Sequence, residues 1–201
     1  MIRVLVAEDQ GMMRGALVQL LDLEDDLEIV AQVARGDEIV PAALDARPDI
    51  AVVDIELPGT DGIEATRALR AAVPTCAVVI VTTFGRPGYL RRAFDAGARA
   101  FLVKDAPVES LAQAIRRVVA GETVVDPDLA ASALTLGTNP LTDRERDVLR
   151  AAAGGAPLAE VARLLYLSES TVRNYLSSAI GKTGTRNRTE ATHVAASNGW
   201  L

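Results

Sequence analysis

Cysteine, histidine and long apolar runs are scarce in this sequence of 201 residues, which has one Cys and one His. The single cysteine, Cys76, cannot form an internal disulfide and suits a reducing cytoplasm, which is where we expect the protein. Every apolar run stays well short of the roughly 18 residues of a membrane helix. The chain enters an apolar, strand-like run at Ile2 without the basic and apolar regions of a signal peptide. We therefore expect a soluble protein.

Acidic side chains outnumber basic ones, but the excess is uneven along the chain. The formal net charge is -6, with 13 Lys and Arg against 21 Asp and Glu in residues 1–139, and 8 against 6 in residues 140–201. Only the carboxyl-terminal segment therefore has the charge to approach nucleic-acid phosphates. Proline, glycine and asparagine occur among small residues between 121 and 139, which is typical of a linker. We predict one domain over 1–120, a linker over 121–139 and a second domain over 140–201.

The first domain alternates apolar runs with helical periodicity. Runs rich in Val, Ile, Leu and Ala suit strands covered on both faces, and they lie at residues 2–7, 50–53, 77–81 and 100–103, with a fifth expected at 28–33. Apolar residues at helical spacing fill the gaps and follow the last run. Five β/α units with right-handed crossovers predict an α/β fold, a doubly wound five-stranded parallel sheet of flavodoxin-like topology.

Polar side chains follow four of these strands where each strand ends: Glu8-Asp9, Asp54, Thr82 and Lys104. Ligands of an open parallel sheet bind outside the carboxyl ends of its strands, so these side chains can converge on one site. This set of groups fits phosphoryl transfer to a carboxylate. Carboxylates can hold a hard cation, one carboxylate can be modified, and a hydroxyl and an ammonium can bind an anion. Each residue alone has an ordinary alternative, such as a solvated strand-end acid or a surface lysine, but their joint placement favours a site.

Helical signals fill the segment after residue 140. A capping box from Thr142 to Glu145 opens the first helix. Three more helices are predicted, at residues 158–165, from Glu169 to about Lys182, and from near Arg188. The short turn between the second and the third predicts a helix-turn-helix in a small all-α domain, whose later helix enters the major groove of double-stranded DNA.

Polar residues line one surface of the helix predicted to enter the groove: Thr171, Arg173, Asn174 and Ser177. Arginine can contact guanine and asparagine can contact adenine through paired hydrogen bonds. Cationic residues that suit DNA phosphates follow at Lys182, Arg186 and Arg188. The alternative for each residue is an ordinary solvated helix face.

Motifs in both domains resemble the NarL/FixJ family of two-component response regulators, which join a receiver domain to a LuxR-type DNA-binding domain. They are Glu8-Asp9, the run Asp54-Ile55-Glu56-Leu57-Pro58-Gly59-Thr60-Asp61-Gly62, Thr82, Phe101 with Lys104, Leu141-Thr142-Asp143-Arg144-Glu145, and Thr171-Val172-Arg173. Within that family the chain resembles the branch of DesR, a regulator of membrane lipid desaturation, at Ala7-Glu8-Asp9-Gln10, Leu23-Glu24-Asp25-Asp26, Thr83-Phe84-Gly85-Arg86-Pro87-Gly88-Tyr89 and Thr171-Val172-Arg173-Asn174-Tyr175.

The resemblance implies a role for each residue of the receiver site. Asp54 is expected to accept the phosphoryl group, with Asp9 as the main carboxylate for Mg²⁺. Further contributions to the ion are implied for Glu8 through water and for the backbone carbonyl of Glu56. The resemblance also implies a switch. The Lys104 ammonium and the Thr82 hydroxyl hold the phosphoryl group, and the ring of Phe101 follows the hydroxyl inward.

The resemblance also implies partners. A sensor histidine kinase supplies the phosphoryl group, promoter DNA is the target, and a second copy of the chain binds after phosphorylation, without membrane insertion. The dimer face implied by the DesR branch combines the first and last receiver helices. Its candidate residues are Leu17, Leu20, Leu111 and Ile115.

The main alternative is a phosphatase-like enzyme that uses Asp54 as a nucleophile on a similar sheet. Such an enzyme is expected to have an aspartate two residues later as general acid, but Glu56 occupies that position, and a DNA-binding tail has no use in it. A regulator whose receiver only dimerises is disfavoured because every acceptor-site group is present. We therefore expect a phosphorylation-controlled transcription factor rather than an enzyme.

Overall fold

The computed structural model of the protein describes residues 1–83, 87–105, 108–126, 129–130 and 139–201. They form two compact units, one built from most of residues 1–130 and the other from residues 139–201. Strands and helices alternate along the first unit: β1 (Ile2–Ala7), α1 (Gly11–Leu21), β2 (Leu27–Val33), a 3-10 turn (Gly36–Glu38), α2 (Ile39–Ala46), β3 (Ile50–Val53), α3 (Gly62–Ala72), β4 (Ala77–Thr82), α4 (Pro87–Asp95), β5 (Ala100–Val103), α5 (Val108–Val119) and β6 (Val124–Val125).

The strands form one parallel sheet in the order β2-β1-β3-β4-β5-β6. Every residue of β3 is buried, as expected for a strand covered on both faces. Side chains of the central strands pack with Leu111 and Ile115 of α5 in one core cluster. The α/β prediction is therefore confirmed, and β1, β3, β4 and β5 end next to one another at the same edge of the sheet.

The prediction of five strands is wrong by one edge strand. β6 pairs in parallel with β5, with Ala100 opposite Val124 and Phe101 opposite Val125. The sheet therefore continues into the segment predicted to be a linker. Two residues are too few to show a hydrophobic period, so the pattern of the sequence could not reveal this strand.

The second unit is entirely helical in its described residues. Its helices are α6 (Asp143–Ala152), a 3-10 turn (Ala153–Gly155), α7 (Leu158–Leu165), α8 (Glu169–Thr183) and α9 (Arg188–Ser197). The predicted capping box is confirmed, because Thr142 and Glu145 each bond the backbone N–H of the other. Small and branched apolar residues from all four α-helices form one core cluster. The order α7, turn, α8 is the predicted helix-turn-helix.

Across the described parts of both units, no helix combines the length and the apolar character needed to span a membrane.

Candidate functional site

Three carboxylates meet at the carboxyl ends of β1 and β3. Glu8 and Asp9 follow β1, Asp54 follows β3, and each contributes an oxygen that lies within 4.8 Å of the others. Glu8 and Asp54 are 1% and 5% exposed, whereas Asp9 is exposed. The sheet therefore brings together the acids that the sequence predicted to meet, with Asp9 on the solvent side of the group.

Lys104 lies against two of these carboxylates. Its Nζ is 2.6 Å from Glu8 Oε2 and donates a hydrogen bond of 2.9 Å to Asp54 Oδ2. Burial lowers the pKa of Lys104, but the hydrogen bonds and charges of Glu8 and Asp54 raise it by more, so its pKa lies above the usual lysine value. Burial raises the pKa of Glu8, and Lys104 opposes that rise. The ammonium therefore stays charged beside the acid group.

The acid group suits a small divalent cation. Three carboxylates against one ammonium leave two negative charges to be compensated, and magnesium prefers oxygen ligands with several waters retained. Among the described residues, the buried Glu8 Oε2 has no partner with hydrogen-bond geometry, although Lys104 is close. The donor set therefore fits Mg²⁺.

The backbone around Asp54 is fixed by short local contacts. Its Oδ1 accepts a hydrogen bond of 2.7 Å from the N–H of Ile55, which orients the carboxylate. Asp61 caps α3 by accepting from the N–H groups of Ile63 and Glu64. Any Cβ at Gly62 would overlap the carbonyl oxygen of Asp54. This close approach explains why a glycine follows the acceptor eight residues later.

The predicted switch residues lie on the two strands next to the acids. Thr82 ends β4 and is 1% exposed, and its carbonyl accepts a hydrogen bond of 2.8 Å from the N–H of Lys104. Phe101 lies on β5 and is fully buried. Glu56 is exposed in the loop after β3. Thr82 and Lys104 therefore lie next to each other at the ends of neighbouring strands, as predicted. The ring of Phe101 lies in the core.

Sequence reasoning missed a contact that supports Glu8. Arg14, in the first turn of α1, donates a hydrogen bond of 2.6 Å to the carbonyl of Glu8, and the N–H of Gln10 donates one of 3.2 Å to Glu8 Oε1. The guanidinium therefore holds the loop that carries both Glu8 and Asp9. The sequence feature that could have predicted this contact is a basic residue about one helical turn after an acidic pair. That pattern is too common to interpret alone.

The predicted DNA-contacting residues lie on α8 as its period requires. Val172 and Leu176 are buried, whereas Arg173, Asn174 and Ser177 are exposed and Thr171 is half-buried. Within the described part of the chain, no hydrogen bond or ion pair engages the side chains of Arg173 or Asn174. These two side chains are therefore available to an outside partner.

The three predicted phosphate contacts all have partners within the second unit. Lys182 Nζ is 2.8 Å from the buried Glu145 carboxylate, and Arg186 pairs with Glu190 at 3.1 Å. Arg188 donates to the carbonyls of Ala156 and Gly155, at 2.8 and 3.1 Å. Of the three cations, Arg186 is the most exposed side chain, at 88%.

The four predicted dimer residues divide into two classes. Ile115 has no exposed surface and Leu111 is 8% exposed, because both pack under the sheet, so Ile115 belongs to the core and offers nothing to a partner. Leu17 and Leu20 of α1 are half-buried. A cavity of about 70 Å³ opens between α1 and α5 beside these two leucines, and Met13 and Lys104 also line it.

Comparison with known proteins covers both units. Residues 4–116 match the response regulator receiver domain, and residues 139–195 match the bacterial regulatory proteins of the luxR family. YvfU, an uncharacterized transcriptional regulatory protein of Bacillus subtilis (strain 168), is 44% identical over 201 residues that span both chains completely. The transcriptional regulatory protein DesR of the same organism is 43% identical over the same span. The crystal structure of the response regulator ChrA, of a heme-sensing two-component system, is 32% identical with a TM-score of 0.59, covering 100% of this chain and 98% of that one.

Proposed function

The chain belongs to the two-component response regulators that join a receiver domain to a LuxR-type DNA-binding domain, and from this premise we propose that Asp54 accepts a phosphoryl group. It is a DNA-binding transcription regulator, with the DNA-binding domain proposed to occupy residues 140–201. The observation that carries the acceptor assignment is the buried Asp54 carboxylate, within reach of two more acids and bonded to Lys104. Treatment with acetyl phosphate, with Asp54→Asn as the comparison, tests it.

The proposed donor is the phosphohistidine of a sensor kinase. An oxygen of the Asp54 carboxylate forms a bond to phosphorus while the bond from phosphorus to the histidine nitrogen breaks. Mg²⁺ held by Asp9, Asp54 and the Glu56 carbonyl, with Glu8 acting through water, would neutralise the phosphoryl oxygens. Lys104 already lies beside Asp54 Oδ2, so its ammonium can follow the new anion without crossing the site. Thr82, at the end of the neighbouring strand, supplies the hydroxyl.

Phosphorylation can reach the α1–α5 face through Lys104. The lysine lines both the acid group and the cavity between α1 and α5. A shift of its side chain towards a phosphoryl group therefore changes one wall of that cavity. We propose that the face formed by Leu17, Leu20 and the exposed Met12 joins two receivers in the phosphorylated protein.

Leu20→Asp should leave the phosphorylated protein monomeric, whereas the phosphorylated wild type should dimerise at micromolar concentration. A carboxylate at this half-buried position would be desolvated at a protein interface, which is costly for an unpaired charge. Sedimentation velocity gives the oligomeric state. Mass spectrometry of the same samples confirms that both are phosphorylated.

Leu44→Asp is the control, because Leu44 is a solvent-exposed leucine of the receiver that lies on α2 rather than α1. It should dimerise like the wild type. A phosphorylated Leu20→Asp protein that dimerises normally would rule out this face.

Arg173→Ala should weaken binding to particular base sequences by about 1 to 3 kcal/mol, because an exposed arginine that has no partner among the described residues can contact a guanine edge. Arg186→Ala should weaken all DNA sequences alike and reduce the slope of log K against log salt by about one, as expected for a phosphate contact. Competition binding with selected and random duplexes at several salt concentrations separates the two results.

Lys182→Ala is a poor test of phosphate contact, because it also removes the ammonium that pairs with the buried Glu145 carboxylate. If Arg173→Ala weakened selected and random DNA by the same factor, as Arg186→Ala should, the proposed orientation of α8 in the groove would be wrong.

A further inference from the structure

Tyr166 has a backbone conformation that tyrosine rarely adopts. It follows the last residue of α7 with φ 55° and ψ 44°, in the left-handed region. Glycine occupies the left-handed position after each of three other helices of the same unit, with φ 77° at Gly154, 65° at Gly184 and 65° at Gly199. Glycine is the usual residue at such helix ends because it has no Cβ to clash. A tyrosine here therefore makes the second unit less stable than a glycine would.

Nothing within the described residues compensates for this strain through the side chain. Tyr166 is 96% exposed, and its hydroxyl takes part in no hydrogen bond with the described part of the protein. The backbone of the turn is well satisfied, because the N–H of Tyr166 bonds to Arg163 and that of Leu167 bonds to Ala162. A strained residue whose side chain points into solvent indicates a role towards a partner outside the chain.

The position of Tyr166 identifies the partner. It lies in the turn between the two helices of the helix-turn-helix, two residues before Ser168 caps α8. In this motif the second helix occupies the major groove while the first crosses the DNA backbone, so the turn is carried close to the phosphates. Tyrosine is among the side chains that donate to phosphate oxygens.

We infer that the hydroxyl of Tyr166 donates a hydrogen bond to a backbone phosphate of DNA bound to α8. The inference rests on the proposed DNA-binding function and adds a neutral backbone contact to it. Residues 168–171 offer further hydroxyls, and Ser168 bonds to both Ser170 and Thr171 at 2.8 Å. A neutral donor replaces no counterion, so this contact should strengthen binding without contributing to the salt dependence.

Tyr166→Phe tests the hydroxyl without changing the backbone. For each copy of the second unit bound to DNA, the variant should bind about five-fold more weakly. This factor corresponds to the usual free energy of one hydrogen bond. The factor should be equal for a random duplex and for a duplex selected from a random pool by the phosphorylated wild type, and the slope of log K against log salt should stay unchanged. The melting temperature should also stay at the wild-type value.

Tyr166→Gly separates strain from contact. It should raise the melting temperature of the second unit, because the left-handed backbone no longer meets a Cβ, and yet it should bind DNA at least as weakly as Tyr166→Phe. Arg47→Gly is the matched control. Arg47 is the other non-glycine residue in the described ranges with a left-handed backbone. It is exposed and lies in the receiver, so its replacement should leave DNA affinity unchanged.

These measurements distinguish failure of the Tyr166 contact from failure of the proposed DNA-binding function. If the wild type bound neither duplex, DNA binding itself would be refuted. If the wild type bound and Tyr166→Phe bound equally well, the phosphate contact would be refuted. A change in salt slope, or a loss confined to the selected duplex, would equally overturn a neutral backbone contact.

Discussion

Acetyl phosphate and Mg²⁺ should add one phosphoryl group to the wild-type protein and none to Asp54→Asn. The amide has no anionic oxygen to attack phosphorus, and the remaining acids, Glu8 and Asp9, lie on a different strand end. The effect is all or none, and intact-protein mass spectrometry measures it directly. Labelling of Asp54→Asn to the wild-type extent would place the acceptor elsewhere.

Two further variants make this experiment specific. Asp45→Asn removes an exposed carboxylate near the end of α2, the helix that leads into the opposite end of β3, and should be phosphorylated like the wild type. Asp9→Ala should lose the dependence of the labelling rate on Mg²⁺, because it removes the exposed acid of the group. A normal Mg²⁺ dependence in Asp9→Ala would contradict the proposed metal site.

Glu145→Ala should destabilise the second unit by about 2 kcal/mol, because it removes a buried carboxylate that accepts several hydrogen bonds. Glu145 is 3% exposed, and its carboxylate accepts from the Thr142 N–H at 2.6 Å, from Ser178 at 2.6 Å and from Lys182 at 2.8 Å. Removing it leaves those donors without their acceptor and opens a small cavity between α6 and α8.

The only tryptophan, Trp200, packs against the core of this unit, so its fluorescence in a urea titration reports the unfolding of that unit. Glu160→Ala removes an exposed acid from α7 and should unfold like the wild type. Equal midpoints for Glu145→Ala and the wild type would show that the network contributes nothing.

The same carboxylate makes stability depend on pH. Burial raises the pKa of Glu145, but the hydrogen bonds from Lys182, Ser178 and Thr142 lower it by more, to about 2. A lowered folded-state pKa stabilises the protein above the ordinary value of 4.5 and loses that effect as pH falls towards 2. The wild type should therefore lose stability between pH 4.5 and pH 2 more steeply than Glu145→Gln, because the glutamine side chain does not take up a proton in that range.

Much of the fold could be predicted from the sequence because strand and helix periods are local. The runs that became β1, β3, β4 and β5 are nearly all apolar, and the acids and the lysine directly follow their ends. Once the strands were known to be parallel, the meeting of Glu8, Asp54 and Lys104 followed from topology alone. The two-residue strand β6 has no period to read, and so it was missed.

Contacts over long sequence separations could not be predicted. Glu145 bonds to Thr142 within its own helix end, which the sequence shows, but also to Ser178 and Lys182, more than thirty residues later. Helical periodicity placed Ile115 on an apolar stripe without telling whether that stripe faces the core or a partner. Only packing distinguishes these cases, and it assigns Ile115 to the core.

The sixth strand also decides where this receiver can be cut in a chimera. A chimera with another effector domain needs a junction after the receiver, and a junction directly after α5 would fall near residue 120. Such a junction removes Val124 and Val125 and strips β5 of its only neighbour on that side. An open strand edge invites pairing with other chains. A functional graft therefore has to keep the native sequence through Val125, so that the transplanted effector is joined to the edge of the sheet rather than to the end of a helix.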